Sequence, residues 1–142
     1  MLRRSIVWAR LIAIPLLCVS VSSITGQTKP HAKIIPLDNT GKQEAPLLTG
    51  PPETVTMRSG LVALEPGKSV GKHSTGKHEE LLVVLEGQGR MTFADGSALP
   101  VEAGHAVYCP PATEHNVTNT GSGLLRYVYV VASVPDEALT AP

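Results

Sequence analysis

The sequence is poor in aromatic residues and carries no excess charge. Only 4% of its 142 residues are Phe, Trp or Tyr. The 12 basic and 12 acidic side chains give a formal net charge of zero at pH 7. Balanced charge argues against the basic surface that nucleic-acid binding requires, so we predict no nucleic-acid partner. A pocket lined by aromatic rings would have to rely on the three tyrosines.

Long apolar runs are also absent, with one exception near the N terminus. Arginines precede an apolar stretch at positions 11–21 and small residues follow it, which is the layout of a secretory signal peptide. Arg10 and Pro15 interrupt the segment, whereas a membrane anchor needs roughly 18 uninterrupted apolar residues. We therefore predict a signal peptide at residues 1–26, export to the periplasm or the medium, and no stable membrane insertion after cleavage.

Cysteine is scarce, and cleavage would make it scarcer. A cut after Ser23 and a cut after Gly26 both fit the small residues at this point. Removal of residues through Gly26 takes away three of the 12 basic residues and no acidic one, which leaves nine basic against 12 acidic. Cys109 would then be the only cysteine, which excludes an internal disulfide. We interpret Cys109 as a small buried side chain rather than a reactive thiol.

Glycine and proline, in contrast, are plentiful, with 13 and 12 residues. In the second half of the chain they separate short runs of β-branched and apolar residues, which is typical of an all-β domain. The predicted strands are Val55–Met57, Leu61–Leu64, Glu79–Leu85, Arg90–Phe93, His105–Tyr108, Asn116–Thr118 and Leu124–Ala132, and helical spacing is found only at Asp136–Leu139. Many short strands at regular spacing predict a sandwich or a barrel in one domain.

Two of these predicted strands, Glu79–Leu85 and Leu124–Ala132, are largely apolar on both faces. In Glu79–Leu85, Glu80 and Leu82 point to one face while Leu81 and Val83 point to the other. One face can line a barrel interior. The other face must be covered by the N-terminal arm, a second sheet or another subunit, so a homodimer is one of the expected partners.

Three histidines and a glutamate form a pattern that suits a metal site. His78 and Glu80 are two residues apart, so a strand places them on one face. His73 lies just before them, and His115 lies on a later strand. Imidazole and carboxylate together suit a divalent Mn, Fe, Ni, Co, Cu or Zn ion and leave positions open for water or substrate. We predict that the metal ligands are His73, His78, Glu80 and His115.

These residues also lie in two motifs that resemble those of the cupin superfamily, in particular its small single-domain members. The first motif runs from Gly67 through His73 and Glu80 to Gly87, with spacers of five, six and six residues. The second runs from Gly104 to Asn119, as Gly104, five residues, Pro110-Pro111-Ala112, two residues, His115, three residues and Asn119. Ala112 stands where that motif usually has Gly.

The first motif departs from the cupin pattern at one ligand position. Cupins usually carry a second His two residues after the first, and Thr75 occupies that position here. The resemblance therefore implies three ligands, His73, Glu80 and His115. His78 is the local candidate for the fourth, because its parity with Glu80 points it inward. Glu79 is the other possibility only if the strand register slips, since it should face away.

The resemblance implies an all-β fold, a double-stranded β-helix or jelly-roll barrel with an extended N-terminal arm. We place an extended or flexible arm at residues 27–52, the barrel at 53–134 and a C-terminal tail at 135–142. Cupins include dioxygenases, isomerases, decarboxylases and epimerases, so we expect an exported metal-binding cupin acting on a small-molecule substrate, as a dioxygenase or isomerase type of enzyme. The alternatives are a non-catalytic module that binds a small molecule or sugar, and a structural cupin.

The sequence does not identify a catalytic acid or base. Side chains on predicted strands that could orient a substrate are Arg58, Arg90, Arg126, Tyr108, Tyr127 and Tyr129. His31 and His105 lie outside the motif positions and are expected to have no role in the site.

Overall fold

The computed structural model describes residues 29–38 and 41–139, and these ranges contain nine strands and one short helix. The strands are β1 (Glu44–Thr49), β2 (Arg58–Leu64), β3 (His73–Ser74), β4 (His78–Glu86), β5 (Gln88–Phe93), β6 (Ala98–Glu102), β7 (Ala106–Cys109), β8 (Glu114–Asn119) and β9 (Leu125–Ser133). The helix α1 (Asp136–Leu139) follows β9, where helical spacing is found in the sequence. No described helix has the length and apolar character that crossing a membrane demands.

The strands form two antiparallel sheets. One has the order β1-β2-β9-β4-β7 and the other has the order β3-β8-β5-β6. Every strand pair in them is antiparallel. The predicted all-β jelly-roll fold is confirmed.

The side chains of β4 alternate between a buried and an exposed face, as predicted. Leu82 and Val84 are buried, whereas Leu81 and Val83 on the opposite face are about 40% exposed. The buried residues join apolar side chains from both sheets in one core between them. This core is formed by Val62, Leu64, Leu82, Val84, Met91, Val101, Val107, Val117, Leu125 and Tyr127. The inner face of β4 therefore carries core residues at its centre, and Glu80 at its start lies on the same face.

Several strand boundaries differ from the sequence-based expectation. The predicted strand Val55–Met57 is wrong, because residues 51–56 form turns and bends. The strand in this part of the chain is β1, inside the segment expected to be an arm. β1 contains Pro46, where its register with β2 shifts, and the edge strand β6 contains Pro100. Proline is tolerated on edge strands, so the prolines that pointed to loops conceal two real strands.

Residues 29–38 of the predicted arm form no helix or strand. Lys33 and Leu37 contact the barrel. Lys33 forms an ion pair with Glu53, and Arg126 donates a hydrogen bond from Nη2 to the carbonyl oxygen of Leu37 at 3.2 Å. The predicted signal peptide lies outside the described residues.

Candidate metal centre

Two histidines and a glutamate converge between the two sheets. His73 on β3 lies opposite His115 on β8, and the centroids of their rings are 4.3 Å apart. Glu80 comes from β4 in the other sheet and is buried on its inner face. The ligand atoms of the three residues all lie within 4.8 Å of one another. The fold thus brings together three of the four predicted ligands.

The electrostatic environment of this cluster favours a positive charge. His115 is 2% exposed and Glu80 is 8% exposed, and Nε2 of His115 lies 3.2 Å from Oε2 of Glu80. Burial by itself lowers the pKa of His115, but the Glu80 carboxylate and the carbonyl of Thr113 outweigh it, so the pKa is raised. A buried carboxylate therefore stabilises a cation beside it.

The orientation of the rings fits a metal ion. Nδ1 of His73 lies 2.9 Å from the carbonyl oxygen of Gly71, and Nδ1 of His115 lies 3.2 Å from that of Thr113. Since a carbonyl only accepts, each Nδ1 donates, and in the neutral ring Nε2 keeps its lone pair. Nε2 of His115 is buried and has no hydrogen-bond partner of acceptable geometry in the described ranges. A divalent cation between this nitrogen and Glu80 would satisfy both acceptors.

Cys109 lies directly behind the cluster. Its Sγ is 3.4 Å from Nδ1 of His115, and the side chain is fully buried. Burial, followed by the charge of Glu80, raises the pKa of the Cys109 thiol to about 11. The protonated thiol packs against the imidazole, which agrees with its interpretation as a small buried side chain.

A cavity of about 400 Å³ adjoins the cluster. Besides the three candidate ligands its lining includes Glu44, Arg58, His78, Tyr127 and Tyr129. The Tyr129 hydroxyl donates a hydrogen bond to Oε1 of Glu44 at 2.7 Å. Burial raises the pKa of both tyrosines, and nearby carboxylates raise it further. Both hydroxyls therefore remain proton donors at neutral pH.

The two motifs and this barrel agree with the comparison to known families. The sequence matches the cupin domain family over residues 60–131. The chain belongs to the cupin family. Its match covers β2 to β9 almost completely, and so includes all three converging candidate ligands.

Individual relatives are similar to this chain over part of its length. The oxalate-binding protein of Thermotoga maritima is 36% identical over 72 residues, which cover 48% of this cupin and 55% of that protein. The cupin thus spans about half the length of this curated relative. A solved structure described as a predicted oxalate decarboxylase from Thermotoga maritima is 27% identical with a TM-score of 0.59, over 64% of this chain and 79% of that one.

Two further solved structures support the fold. A Cupin 2 conserved barrel domain protein from Salinispora arenicola is 25% identical with a TM-score of 0.57, over 71% of this chain and 82% of that one. An RmlC-like cupin from Methanocaldococcus jannaschii is 21% identical with a TM-score of 0.61, over 78% and 97% of the two chains. The second of these shows the double-stranded β-helix fold alone.

Within the first cupin motif, Thr75 has a structural role at the position of the missing histidine. It is buried, its hydroxyl donates to the carbonyl oxygen of Pro110 at 2.8 Å, and it accepts from the Thr113 N–H at 2.9 Å. The backbone N–H of Thr75 also donates to the Thr113 carbonyl oxygen at 3.2 Å. Thr75 therefore fastens the end of β3 to the segment that leads into His115.

His78 lies in the cavity but outside the group of converging ligand atoms. Its Nε2 lies 3.3 Å from Nη2 of Arg58, and its Nδ1 lies 3.2 Å from the carbonyl oxygen of Thr75. Because a guanidinium only donates, Nε2 accepts and Nδ1 carries the proton. The role of His78 as fourth ligand stays a prediction.

The structure also sorts the candidate substrate-orienting residues. Arg58, Tyr127 and Tyr129 line the cavity, whereas Tyr108 is exposed on the outer face and donates to Oε2 of Glu79 at 3.1 Å. Sequence reasoning missed Glu44, because it lies in the segment expected to be an arm. The signal was the parity of an unrecognised strand, since β1 pairs Glu44 with the inward-facing Val62.

Proposed function

We propose that this cupin binds a divalent metal through His73, Glu80 and His115 and holds a small molecule beside it. The observation that carries the proposal is the buried Nε2 of His115, which faces the Glu80 carboxylate without a hydrogen bond. Three protein ligands leave coordination positions open. Such a metal acts as a Lewis acid that binds and polarises an oxygen-containing ligand. Mn, Fe, Ni, Co, Cu and Zn are all compatible with two imidazoles and a carboxylate.

The small molecule is first sought among compounds of the oxalate type. The oxalate-binding relative and the structure described as a predicted oxalate decarboxylase support this choice. Binding of such a molecule beside the metal is the function that the described residues support best. The cavity of about 400 Å³ falls within the usual range of small-ligand pockets. A sugar remains an alternative ligand within the same proposal.

A catalytic function of the dioxygenase or isomerase type is the second candidate. It is favoured by the Glu44–Tyr129 pair, which places a hydroxyl donor and a carboxylate in the cavity. Proton transfer to or from a bound substrate needs such a group within hydrogen-bond reach. Turnover of oxalate, diketones, phenolics or sugars by metal-loaded protein would support it. Loss of that turnover in Tyr129→Phe with retained substrate binding would assign proton transfer to the Tyr129 hydroxyl.

Export to the periplasm or the medium is part of the proposal. It is supported by the arginines, the apolar stretch and the small residues at positions 1–26. Mass measurement of the protein recovered from a periplasmic extract or from culture medium tests it. Loss of residues through Ser23 or Gly26 is expected, and an intact protein in the cytoplasm would contradict it.

Metal analysis tests the central proposal. Purified protein is expected to hold one equivalent of a divalent metal, and His115→Ala is expected to lose it, because the substitution removes the buried Nε2 that faces Glu80. His105→Ala is the control, since His105 is exposed and does not line this cavity. A metal-free wild-type protein of normal stability that takes up none of the six ions would refute the proposal.

A further inference from the structure

Arg58 is the only lysine or arginine among the described residues that line the cavity. It lies opposite Val131 of β9, and Val131 lies opposite Glu80 of β4. Arg58 and Glu80 thus occupy one row across the sheet, separated by a single strand. Two strand spacings amount to about 10 Å between their backbones. A small ligand can therefore reach from the guanidinium to the metal cluster.

His78 orients this guanidinium. Its Nε2 accepts from Nη2 of Arg58 at 3.3 Å, while its Nδ1 is held at the carbonyl oxygen of Thr75 at 3.2 Å. Thr75 is buried and hydrogen-bonded to the segment before β8, so the carbonyl group that holds the His78 ring is itself fixed in place. The partner of Arg58 in this contact is an imidazole nitrogen and not a carboxylate, so the contact leaves the positive charge of Arg58 uncompensated.

The charge of the cavity depends on the metal. The lining contains the carboxylates of Glu44 and Glu80 and the guanidinium of Arg58, with a sum of −1 when the histidines are neutral. A divalent ion changes the sum to +1. The loaded cavity then attracts anions, whereas the empty one repels them. Carboxylate also matches the planar, bidentate geometry of a guanidinium.

We infer that the cavity selects a small dicarboxylate or oxo-carboxylate. One carboxylate binds the guanidinium of Arg58, and the second oxygen donor is left for the open positions of the metal. His78 is a positioning residue that holds Arg58 in place. This inference rests on the proposed metal site and on the proposed oxalate-type ligand, and it adds the two residues that recognise that ligand, Arg58 and His78.

Calorimetry with metal-loaded protein tests the inference. Mn²⁺ is titrated first into the apoprotein, and oxalate or malonate is then titrated into the loaded protein, with the neutral diamides as isosteres. Arg58→Gln is expected to bind Mn²⁺ within about twofold of wild type but oxalate about tenfold or more weakly, since it loses a charge-assisted contact. Arg90→Gln is the matched control, because Arg90 is exposed on β5 and does not line this cavity. Wild-type protein is expected to bind the diamides at least about tenfold more weakly than the acids, because they lack the charge.

A second pair of variants separates the positioning role of His78 from metal ligation. His78→Ala is expected to weaken oxalate binding severalfold and to leave Mn²⁺ binding unchanged. His78→Gln, which keeps an acceptor for Arg58, is expected to restore part of the oxalate affinity. If both variants instead lose Mn²⁺ affinity to the extent that His73→Ala does, His78 is a metal ligand and the positioning role is wrong.

The outcomes distinguish the two proposals. Failure of wild-type protein to bind Mn²⁺ or any of the other five ions overturns the metal site and this inference with it. Normal metal binding with no binding of carboxylates overturns this inference alone, as does equal oxalate affinity in wild type and Arg58→Gln. A preference for the diamides or for neutral sugars would likewise refute an anion site.

Discussion

At the scale of single residues, two positions show how closely the backbone limits the choice of side chain. Ala112 adopts φ 53°, a left-handed conformation, at the point where the second cupin motif usually has Gly. Gly60 lies opposite Tyr129, and a Cβ at Gly60 would come within 2.6 Å of the Tyr129 ring. The backbone of Ala112 is therefore strained, and the absence of a side chain at Gly60 leaves room for the ring of Tyr129, which lines the cavity.

Replacement of Ala112 is expected to stabilise the protein. A left-handed conformation costs an L-residue about 1–2 kcal/mol, and the greater freedom of Gly in the unfolded chain returns about 0.4–1 kcal/mol. Ala112→Gly should therefore raise the free energy of unfolding by up to about 1.6 kcal/mol, measured by urea denaturation. Ala94→Gly is the control, because Ala94 lies in an exposed turn without positive φ, and it should destabilise. Destabilisation by Ala112→Gly would contradict the account.

Replacement of Gly60 is expected to disturb the cavity. The added Cβ in Gly60→Ala must displace the Tyr129 ring and its hydrogen bond to Glu44. We expect a loss of about 1–3 kcal/mol in the free energy of unfolding, the usual cost of overpacking, together with weaker ligand binding. Gly123→Ala is the control, since a Cβ there meets nothing within 4 Å. Equal stability and equal ligand binding in both variants would show that the ring moves freely.

At the scale of elements, short connections hold the metal cluster in place. β3 has only two residues, and it depends on β8 and on Thr75 for its position. The arm depends in the same way on the contact between Lys33 and Glu53. Each connection includes a contact made by one side chain, so its contribution can be tested by removing that group.

Loss of the Thr75 hydroxyl is expected to loosen β3. Thr75→Val leaves the Thr113 N–H and the Pro110 carbonyl without this partner, which should cost about 1–3 kcal/mol of unfolding free energy. Metal affinity should fall as well, because His73 lies on β3 and His115 follows Thr113. Thr75→Ser keeps the hydroxyl and serves as control. Retained metal affinity in Thr75→Val, measured by calorimetry, would show that β3 is held by its pairing with β8 alone.

The docking of the arm is expected to depend on pH. The side chain of Lys33, followed by the hydroxyl and N–H of Thr49, lowers the pKa of Glu53 from its ordinary value of 4.5 to about 2. A lowered pKa means that this contribution to stability is complete above about pH 4.5 and is lost as the pH falls through about 2. NMR titration should show Glu53 titrating well below 4.5, and Lys33→Met should raise its pKa. Lys29→Met is the control in the same arm, and a Glu53 pKa near 4.5 in the wild type would contradict the contact.

At the scale of the whole molecule, one face of the five-stranded sheet carries exposed apolar side chains. On β4, Leu81, Val83 and Leu85 are 39–40% exposed, and Tyr108 on the neighbouring β7 is 54% exposed. Val128 and Val130 of β9 lie opposite Val83 and Leu81 in the same rows. In the described ranges the arm contacts Arg126 at the margin of this face. Contiguous exposed apolar surface of this kind is typical of an interaction site.

We expect the protein to form a homodimer through this face. Val83→Lys places a charge at its centre and should convert a dimer into a monomer, measured by light scattering after size exclusion. Thr92→Lys on the other sheet is the control, since Thr92 lies outside this face. A monomeric wild-type protein at high micromolar concentration would refute the expectation.

The sequence by itself determined the class of fold and three members of the site. Alternation in β4 and the glycine-rich turns follow from local backbone geometry, so they can be read without tertiary contacts. The resemblance of the two motifs to those of cupins implied His73, Glu80 and His115 as ligands, and the structure brings these three residues together.

Only the tertiary structure decided what surrounds those ligands. Three features of these surroundings depend on pairings between segments that are distant in the chain. Thr75 fastens β3, His78 contacts Arg58, and Glu44 enters the cavity. The prolines in β1 and β6 read as loop signals, because the sequence alone does not reveal which strands lie at a sheet edge. Local geometry fixes the direction of a side chain on its strand. The neighbour that it meets is fixed by sheet order and register.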